Sequence, residues 1–485
     1  MSLFTHEARQ FKFDVLREVA KRSFEGTVNE DTVEEISNKL IPTHKADFRC
    51  CVYKEREIIR ERTRLALGKT PNIIRKSVSS PKQIVHVLEA ACDGCSIHKI
   101  MITDNCRKCM AKSCQAACKF GAIKMGLNKA YIDYDLCKSC GACAKACPFN
   151  AISQSERPCV RSCPVDAITM DENDLCMINE DKCISCGACQ AGCPFGAIED
   201  ISFMKNVIDD LNTKKDVVAI LAPSIQGQMG QATLPQIMQS ILDIGFTDVY
   251  EAAVGADAVA DFESKELLKH KGEGIKMTTS CCPAFVNMAR IHFPTVYEKN
   301  VSKVVSPMEA MARQIKLNRD CKVVFIGPCV AKKNEAMNDW SVVDYVLTFE
   351  EIAAMILSRG INMEAVDAKV KDIASAHGKN FAVGGGVSKA VVQSLKENGL
   401  ESVTYKYADG AAECKMNLLL MKVGKFNEDI LEGMSCVGGC VNGPATIESG
   451  VKSKQLMAKE NAAIQDKTIQ SVLDEVDFSQ VNMHR

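Results

Sequence analysis

Thr279-Ser280-Cys281-Cys282-Pro283 decides how the rest of the chain is read. Two adjacent cysteines cannot face one partner from a regular strand, because successive side chains point to opposite faces. On a turn they sit side by side, and Pro283 pushes Cys282 away from helical geometry. One thiol can then ligate a metal while its neighbour stays free to carry a proton. Two more cysteine stretches lie downstream. They are Gly327-Pro328-Cys329-Val330-Ala331-Lys332-Lys333-Asn334-Glu335 and Glu432-Gly433-Met434-Ser435-Cys436-Val437-Gly438-Gly439-Cys440-Val441-Asn442-Gly443-Pro444. Together the three supply Cys282, Cys329, Cys436 and Cys440, four thiolates suited to a cubane iron–sulfur cluster. Cys281 is left over.

The 485 residues carry 26 cysteines, with Lys+Arg 60 against Asp+Glu 61. Near-zero net charge argues against nucleic acid or an anionic membrane as the main partner. No apolar run reaches the roughly 18 residues of a membrane span. The start, Met1 to Glu7, is polar and lacks the apolar segment of a secretory signal. The expected location is therefore the cytoplasm, a reducing compartment in which C-x-x-C spacing means metal and not disulfides.

Residues 86–205 are a repeat region. Four segments share Cys-x-x-x-Cys-(Pro)-x-x-Ala-Ile: Cys114–Ile123, Cys143–Ile152, Cys159–Ile168 and Cys189–Ile198, the first with Lys119 in place of Pro. Each looks like half of a bacterial ferredoxin, in which three cysteines hold one cluster and the fourth serves the other. Complete motifs are Cys106, Cys109, Cys114, Cys118; Cys137, Cys140, Cys143, Cys147; and Cys183, Cys186, Cys189, Cys193. The remaining half has only Cys159 and Cys163 locally, and Cys92 with Cys95 could complete it across the fold. That makes three to four [4Fe–4S] clusters, with zinc the rival metal. Which halves pair is open, and Cys176, Cys50 and Cys51 have no assigned role.

Residues 1–85 read as a small helical segment, with amphipathic stretches at Phe11–Phe24, Thr32–Leu40 and Arg56–Leu67. After a helix over Ile201–Lys215, the apolar run Val217–Leu221 has the character of a buried strand, as does Val323–Ile326, with Phe381–Val383 a third. Residues 206–450 therefore form an α/β domain with mostly parallel sheets flanked by helices. It follows α+β bacterial-ferredoxin-like repeats and precedes a polar tail, 451–485, with one helix near Lys467–Val476.

The three cysteine stretches of the α/β domain resemble, in order, the signature segments of the iron-only, or [FeFe], hydrogenases, and the resemblance extends over residues 85–450. It implies an H-cluster, a [4Fe–4S] cubane bridged to a diiron unit with CO, cyanide and dithiolate ligands. By position Cys440 is the bridge, with Cys282, Cys329 and Cys436 completing the cubane. Pro223 and Ser224 would meet one cyanide and Lys332 the other. Gly384 to Gly386, centred on Gly385, would let backbone approach, and Met434 would pack on the diiron unit. Read without the resemblance, Ser224 is a helix cap, Lys332 a solvated lysine and Met434 core. The resemblance makes Cys281 the first proton carrier, followed by Glu263, Glu266 and Ser302, the two acids one helical turn apart.

Departures from the family pattern sit close to this site: Gly327 for Met, Ser435 for Ala, Phe285 for Trp, and Pro444 interrupting a glycine run. They mark a divergent, ferredoxin-fused branch. The implied activity is ferredoxin hydrogenase, reversible H2 oxidation and proton reduction. Its partners are a soluble ferredoxin-type carrier and the maturation proteins that insert the diiron unit. A hydrogen-sensing relative and a non-catalytic iron–sulfur assembly factor of the same fold are the alternatives. No Gly-rich dinucleotide fingerprint is present, so direct NAD use is not expected.

Overall fold

The computed structural model describes every residue except 1–3, 5, 43–44, 72–82, 93–94, 96–97, 371–372, 401–402 and 465. Part of the polar start thus lies outside the described residues. Three helices come first: α1 (Glu7–Phe24), α2 (Thr32–Leu40) and α3 (Val52–Ala66). Their buried faces are the apolar stripes read from the sequence, such as Phe13, Leu16 and Val19 of α1.

Eight three-residue strands follow: β1 (Val85–Val87), β2 (Ile100–Ile102), β3 (Ile123–Met125), β4 (Ala130–Ile132), β5 (Ile152–Gln154), β6 (Ile168–Met170), β7 (Cys176–Ile178) and β8 (Ile198–Asp200). Their antiparallel pairing settles which halves belong together. β2 pairs with β5 and β3 with β4, so the Cys106 and Cys137 halves form one unit. β1 pairs with β8 and β6 with β7, so the Cys159 and Cys183 halves form a second. The first unit has its own small core, built from Ile100, Ile123, Ile132 and Ile152. In the second, Val165, Ala167 and Ile184 pack into the core around Phe285 of the next domain.

The remainder holds two parallel sheets. One has the order β10 (Asp248–Glu251), β9 (Val217–Leu221), β12 (Lys322–Gly327), β13 (Tyr345–Thr348). The other runs β11 (Met277–Thr278), β15 (Ile430–Met434), β14 (Tyr405–Asp409). Every β9 residue is buried, because helices cover both faces of a parallel sheet. Phe381–Val383 is not a strand: Asn380–Ala382 makes a 3-10 turn between a short helix and the glycines that open the helix Gly386–Glu397. The tail holds two helices, Gly450–Ala462 and Ile469–Glu475, and its end pairs with the domain, Val305 N donating to Met483 O. Among the described residues no helix is long and apolar enough to cross a membrane.

Candidate metal centre and proton route

Parallel sheets present their loops at the carboxyl ends of the strands, where ligands bind. Here four such ends converge. Pro223 and Ser224 follow β9, Cys281 and Cys282 follow β11, Cys329 follows β12, and Cys436 and Cys440 follow β15. All of them line one cavity, together with Lys332, Met434, Phe325 and Phe381. Burial pushes the Cys329 thiol up to about 12 and raises Cys436 and Cys440 well above the ordinary cysteine range, each reinforced by its neighbours' thiols. Such a set calls for a cationic core, whose positive charge reverses that preference and deprotonates the thiols.

The cavity walls fit a large polar group. Ser224 Oγ and Ser435 Oγ are both buried and without a hydrogen-bond partner, and both residues line the cavity. A buried hydroxyl left this way costs about 1–3 kcal/mol, which a bound acceptor recovers. Lys332 Nζ gives hydrogen bonds to Ser306 Oγ at 2.7 Å and Glu335 Oε2 at 2.6 Å. An ammonium has three donors, so one remains for the cavity.

Two departures from the family pattern have a packing reason. A Cβ on Gly327 would lie 2.5 Å from the Phe325 ring, so Phe325 fills the volume a longer side chain at 327 would need. A Cβ on Gly433 would meet the Phe285 ring at 2.3 Å, so Gly433 is the small residue that admits Phe285. Gly385 needs correcting. It caps the helix Gly386–Glu397 with φ +82, off the cavity, and its N–H donates to Glu432 Oε1 at 2.9 Å. Its neighbour Gly386 does make a close approach, where a Cβ would stand 1.8 Å from Asn380 O, and a Cβ on Gly439, which lines the cavity, would stand 2.6 Å from both Ala382 O and Gly384 N.

Cys281 is buried and its thiol is held well above the ordinary cysteine range, first by burial and then by the Glu263 carboxylate. Glu263 is fully buried on the helix Ala252–Gly272, and Ser280 donates to it twice at 2.9 Å, from N and Oγ. Burial raises Glu263 to about 7, with Glu266 adding to the rise and the Ser280 hydroxyl opposing it. Ser302 Oγ donates to Glu266 Oε2 at 2.5 Å, and Glu266 is only half-buried. Cys281, Glu263 and Ser302 are buried and Glu266 is half-buried, so exposure rises toward Glu266, and Glu263 Oε2 has no hydrogen-bond partner.

The tail adds a residue that sequence reasoning missed. Arg485 reaches the carbonyls of Ser280 at 3.3 Å, Ser302 at 3.5 Å and Val304 at 3.3 Å. No local pattern signals this, since the partners are some 180 or more residues away in sequence.

In the ferredoxin-like units the fourth cysteines cross over. One cavity is lined by Cys106, Cys109, Cys114 and Cys147, another by Cys118, Cys137, Cys140 and Cys143. In the second unit, Cys163 acts on Cys183, Cys186 and Cys189, while Cys193 and Cys159 act on Cys92 and Cys95. The split site expected from Cys92, Cys95, Cys159 and Cys163 is corrected by this arrangement, since Cys163 sits with the Cys183 group and Cys193 takes its place beside Cys92, Cys95 and Cys159. Cys176 is buried beside it, its N–H 3.4 Å from Cys92 Sγ. Cys50 is exposed on the surface before α3, its sulfur 4.0 Å from that of half-buried Cys51. Cys186 also lines the large cavity, so the second unit adjoins it directly.

Residues 215–444 match the family model described as iron only hydrogenase large subunit, C-terminal domain. Residues 130–153 match a 4Fe-4S binding domain and 153–204 the LdpA Fe-S cluster-binding domain. The chain is 30% identical over 369 residues to iron hydrogenase 1 of Clostridium pasteurianum, covering 64% of this chain and 64% of that one. It is 25% identical over 324 residues to the periplasmic [Fe] hydrogenase large subunit of Nitratidesulfovibrio vulgaris, covering 52% of this chain and 77% of that one. A ferredoxin of Alicyclobacillus acidocaldarius is 45% identical over 56 residues, 12% of this chain and 72% of that one. Signature cysteines gathered at the ends of parallel strands, and these matches over both regions, make residues 215–444 similar to the iron-only hydrogenase large subunit and residues 130–204 similar to iron–sulfur binding domains.

Proposed function

We propose that this chain is an [FeFe] hydrogenase, interconverting H2 with protons and electrons in a reducing cytoplasm. The observation that carries the reading is the convergence of Cys282, Cys329, Cys436 and Cys440 on one cavity with Cys281 beside them. When bound, the H-cluster supplies the redox chemistry of H2. The chain's own residues do the rest. Cys282, Cys329, Cys436 and Cys440, all in the module spanning 206–450, would hold the cluster, with Cys440 the thiolate nearest the diiron unit, and the module spanning 86–205 would hold the ferredoxin-like clusters. Ser224 and Lys332 donate to the diatomic ligands, while Pro223, Met434, Phe325 and Phe381 keep bulk water out. Cys281 takes and returns the proton, and Glu263, Ser302 and Glu266 pass it to solvent. Electrons travel through the ferredoxin-like sites, of which that of Cys163, Cys183, Cys186 and Cys189 lies nearest. Maturation proteins deliver the diiron unit, and a ferredoxin-type carrier exchanges electrons.

The deciding experiment is an infrared spectrum of protein co-expressed with the maturation proteins. Bands of metal-bound CO and cyanide are expected, and a spectrum without them overturns the reading.

Two further outcomes follow from the geometry. Glu263 at about 7 gives turnover a pH dependence centred near neutrality, since a relay acid works best when its pKa matches the ambient pH. Glu263→Gln keeps an acceptor for Ser280 but cannot ionise. It should remove that limb of the rate profile and lower kcat by about a hundredfold. At the split site, Cys92→Ser is expected to remove one cluster, about four irons per chain by elemental analysis, and leave the infrared bands in place.

A further inference from the structure

The chain is almost neutral overall, yet its two ferredoxin-like units carry opposite charge. Residues 99–154 hold nine lysines and arginines against three acids, and residues 155–200 hold three against nine. The basic unit is the one with a separate core. Its exposed cations include Arg107, Lys108, Lys112, Lys119, Lys138 and Lys145. Several frame the cluster cavities themselves. Arg107 and Lys108 line the site of Cys106, Cys109 and Cys114, and Lys138 lines that of Cys137, Cys140 and Cys143.

The same unit exposes large apolar side chains where a globular surface ordinarily buries them. Met110 is 97% and Leu127 93% exposed, and Phe120 and Phe149, at the rims of the two cavities, are nearly half exposed. Apolar groups ringed by charge of one sign are the composition of a protein-docking face. Cys140 itself is exposed, which puts one cluster site at the surface.

We infer that the 99–154 unit is the docking face for a small acidic electron carrier of the ferredoxin type, held by lysine–carboxylate attraction around an apolar centre. The inference rests on the hydrogenase reading for its purpose, but the surface itself does not. In each encounter the reduced carrier loses one electron and a cluster of this unit gains it, and no bond forms or breaks. The acidic second unit repels the same carrier, so docking is confined to the first. Attraction of this kind speeds association and fades with salt.

The test uses the cluster-loaded full chain, an acidic two-cluster bacterial ferredoxin, and methyl viologen as a small cationic donor. Binding measured by calorimetry should weaken at least about tenfold as salt rises from roughly 50 to 300 mM. The triple variant Lys112→Glu, Lys119→Glu, Lys145→Glu should weaken binding at least about tenfold at the lower salt, with iron content and viologen-linked rates unchanged. Binding by the triple variant within about twofold of the parent, or no binding by the parent at all, overturns the inference. Absence of viologen-linked H2 chemistry in the parent would instead count against the hydrogenase reading and leave the calorimetric result standing.

Discussion

Cys281→Ala is expected to lower H2 turnover by about a hundredfold to ten-thousandfold while iron content and the CO and cyanide bands persist. Its neighbour Cys282 lines the same cavity as the other three ligand candidates, and Cys281 is the thiol left over beside them. Removing its sulfur leaves Glu263 as the next group, behind the Ser280 backbone. Proton delivery would then have to reach Glu263 without the Cys281 sulfur, from a cavity whose wall includes Met434, Phe381 and Ala256, side chains that offer no relay. Cys281→Asp restores an ionisable group and should recover part of the rate. Turnover unchanged in Cys281→Ala would remove this residue from the mechanism, whatever the spectrum shows.

The second large effect concerns stability. Lys333, next to Lys332 in the same signature segment, is fully buried. Its Nζ donates to Asp200 Oδ2 at 2.7 Å, Ile201 O at 2.7 Å and Glu351 Oε1 at 3.0 Å. Asp200 also pairs with Lys12 of α1 at 3.0 Å, and Lys12 with Glu350 at 2.9 Å. One buried network thus ties α1, the last ferredoxin strand and the α/β domain together, and gives α1 a structural role. Lys333→Met strands the Glu351 carboxylate in the interior and leaves Asp200 with Lys12 as its remaining cation, and breaking such a buried pair costs about 3–5 kcal/mol. The unfolding midpoint of the cluster-loaded protein should fall accordingly. Lys124→Met, at the exposed pair with Asp133, should leave it unchanged.

The pH dependence of that deficit has a definite sign. Burial alone would raise the Asp200 carboxyl, but Lys12 and Lys333 outweigh it and hold it well below the ordinary carboxylate range. A depressed acid contributes stability above its unfolded pKa of about 3.9 and loses it as pH falls through the folded value. The difference between parent and Lys333→Met should be full at neutral pH and shrink below about pH 4. A difference that grows in acid would contradict this account.

Much of the candidate site was legible in the sequence because cluster ligation is a local code. C-x-x-C spacing, the Cys-Cys-Pro turn and the three cysteine segments name the ligand candidates without a fold. Buried strands such as Val217–Leu221 announce themselves as unbroken apolar runs. The Phe381–Val383 misreading shows the limit of that signal, since three apolar residues before Gly384 suit a strand or a 3-10 turn equally.

By itself, then, the sequence named the candidate donor atoms, the half-repeats and the α/β class, all carried by neighbouring residues and their period. Only the tertiary structure decided which halves pair and that Cys193 crosses to join Cys92, Cys95 and Cys159. It likewise decided that Phe325 fills the space beside Gly327, that Gly439 packs against Gly384 at the cavity wall, and that Arg485 returns to the Ser280 loop. These depend on contacts between segments far apart in the chain. Such contacts are set by how buried faces and charges fit together, which no local spacing records.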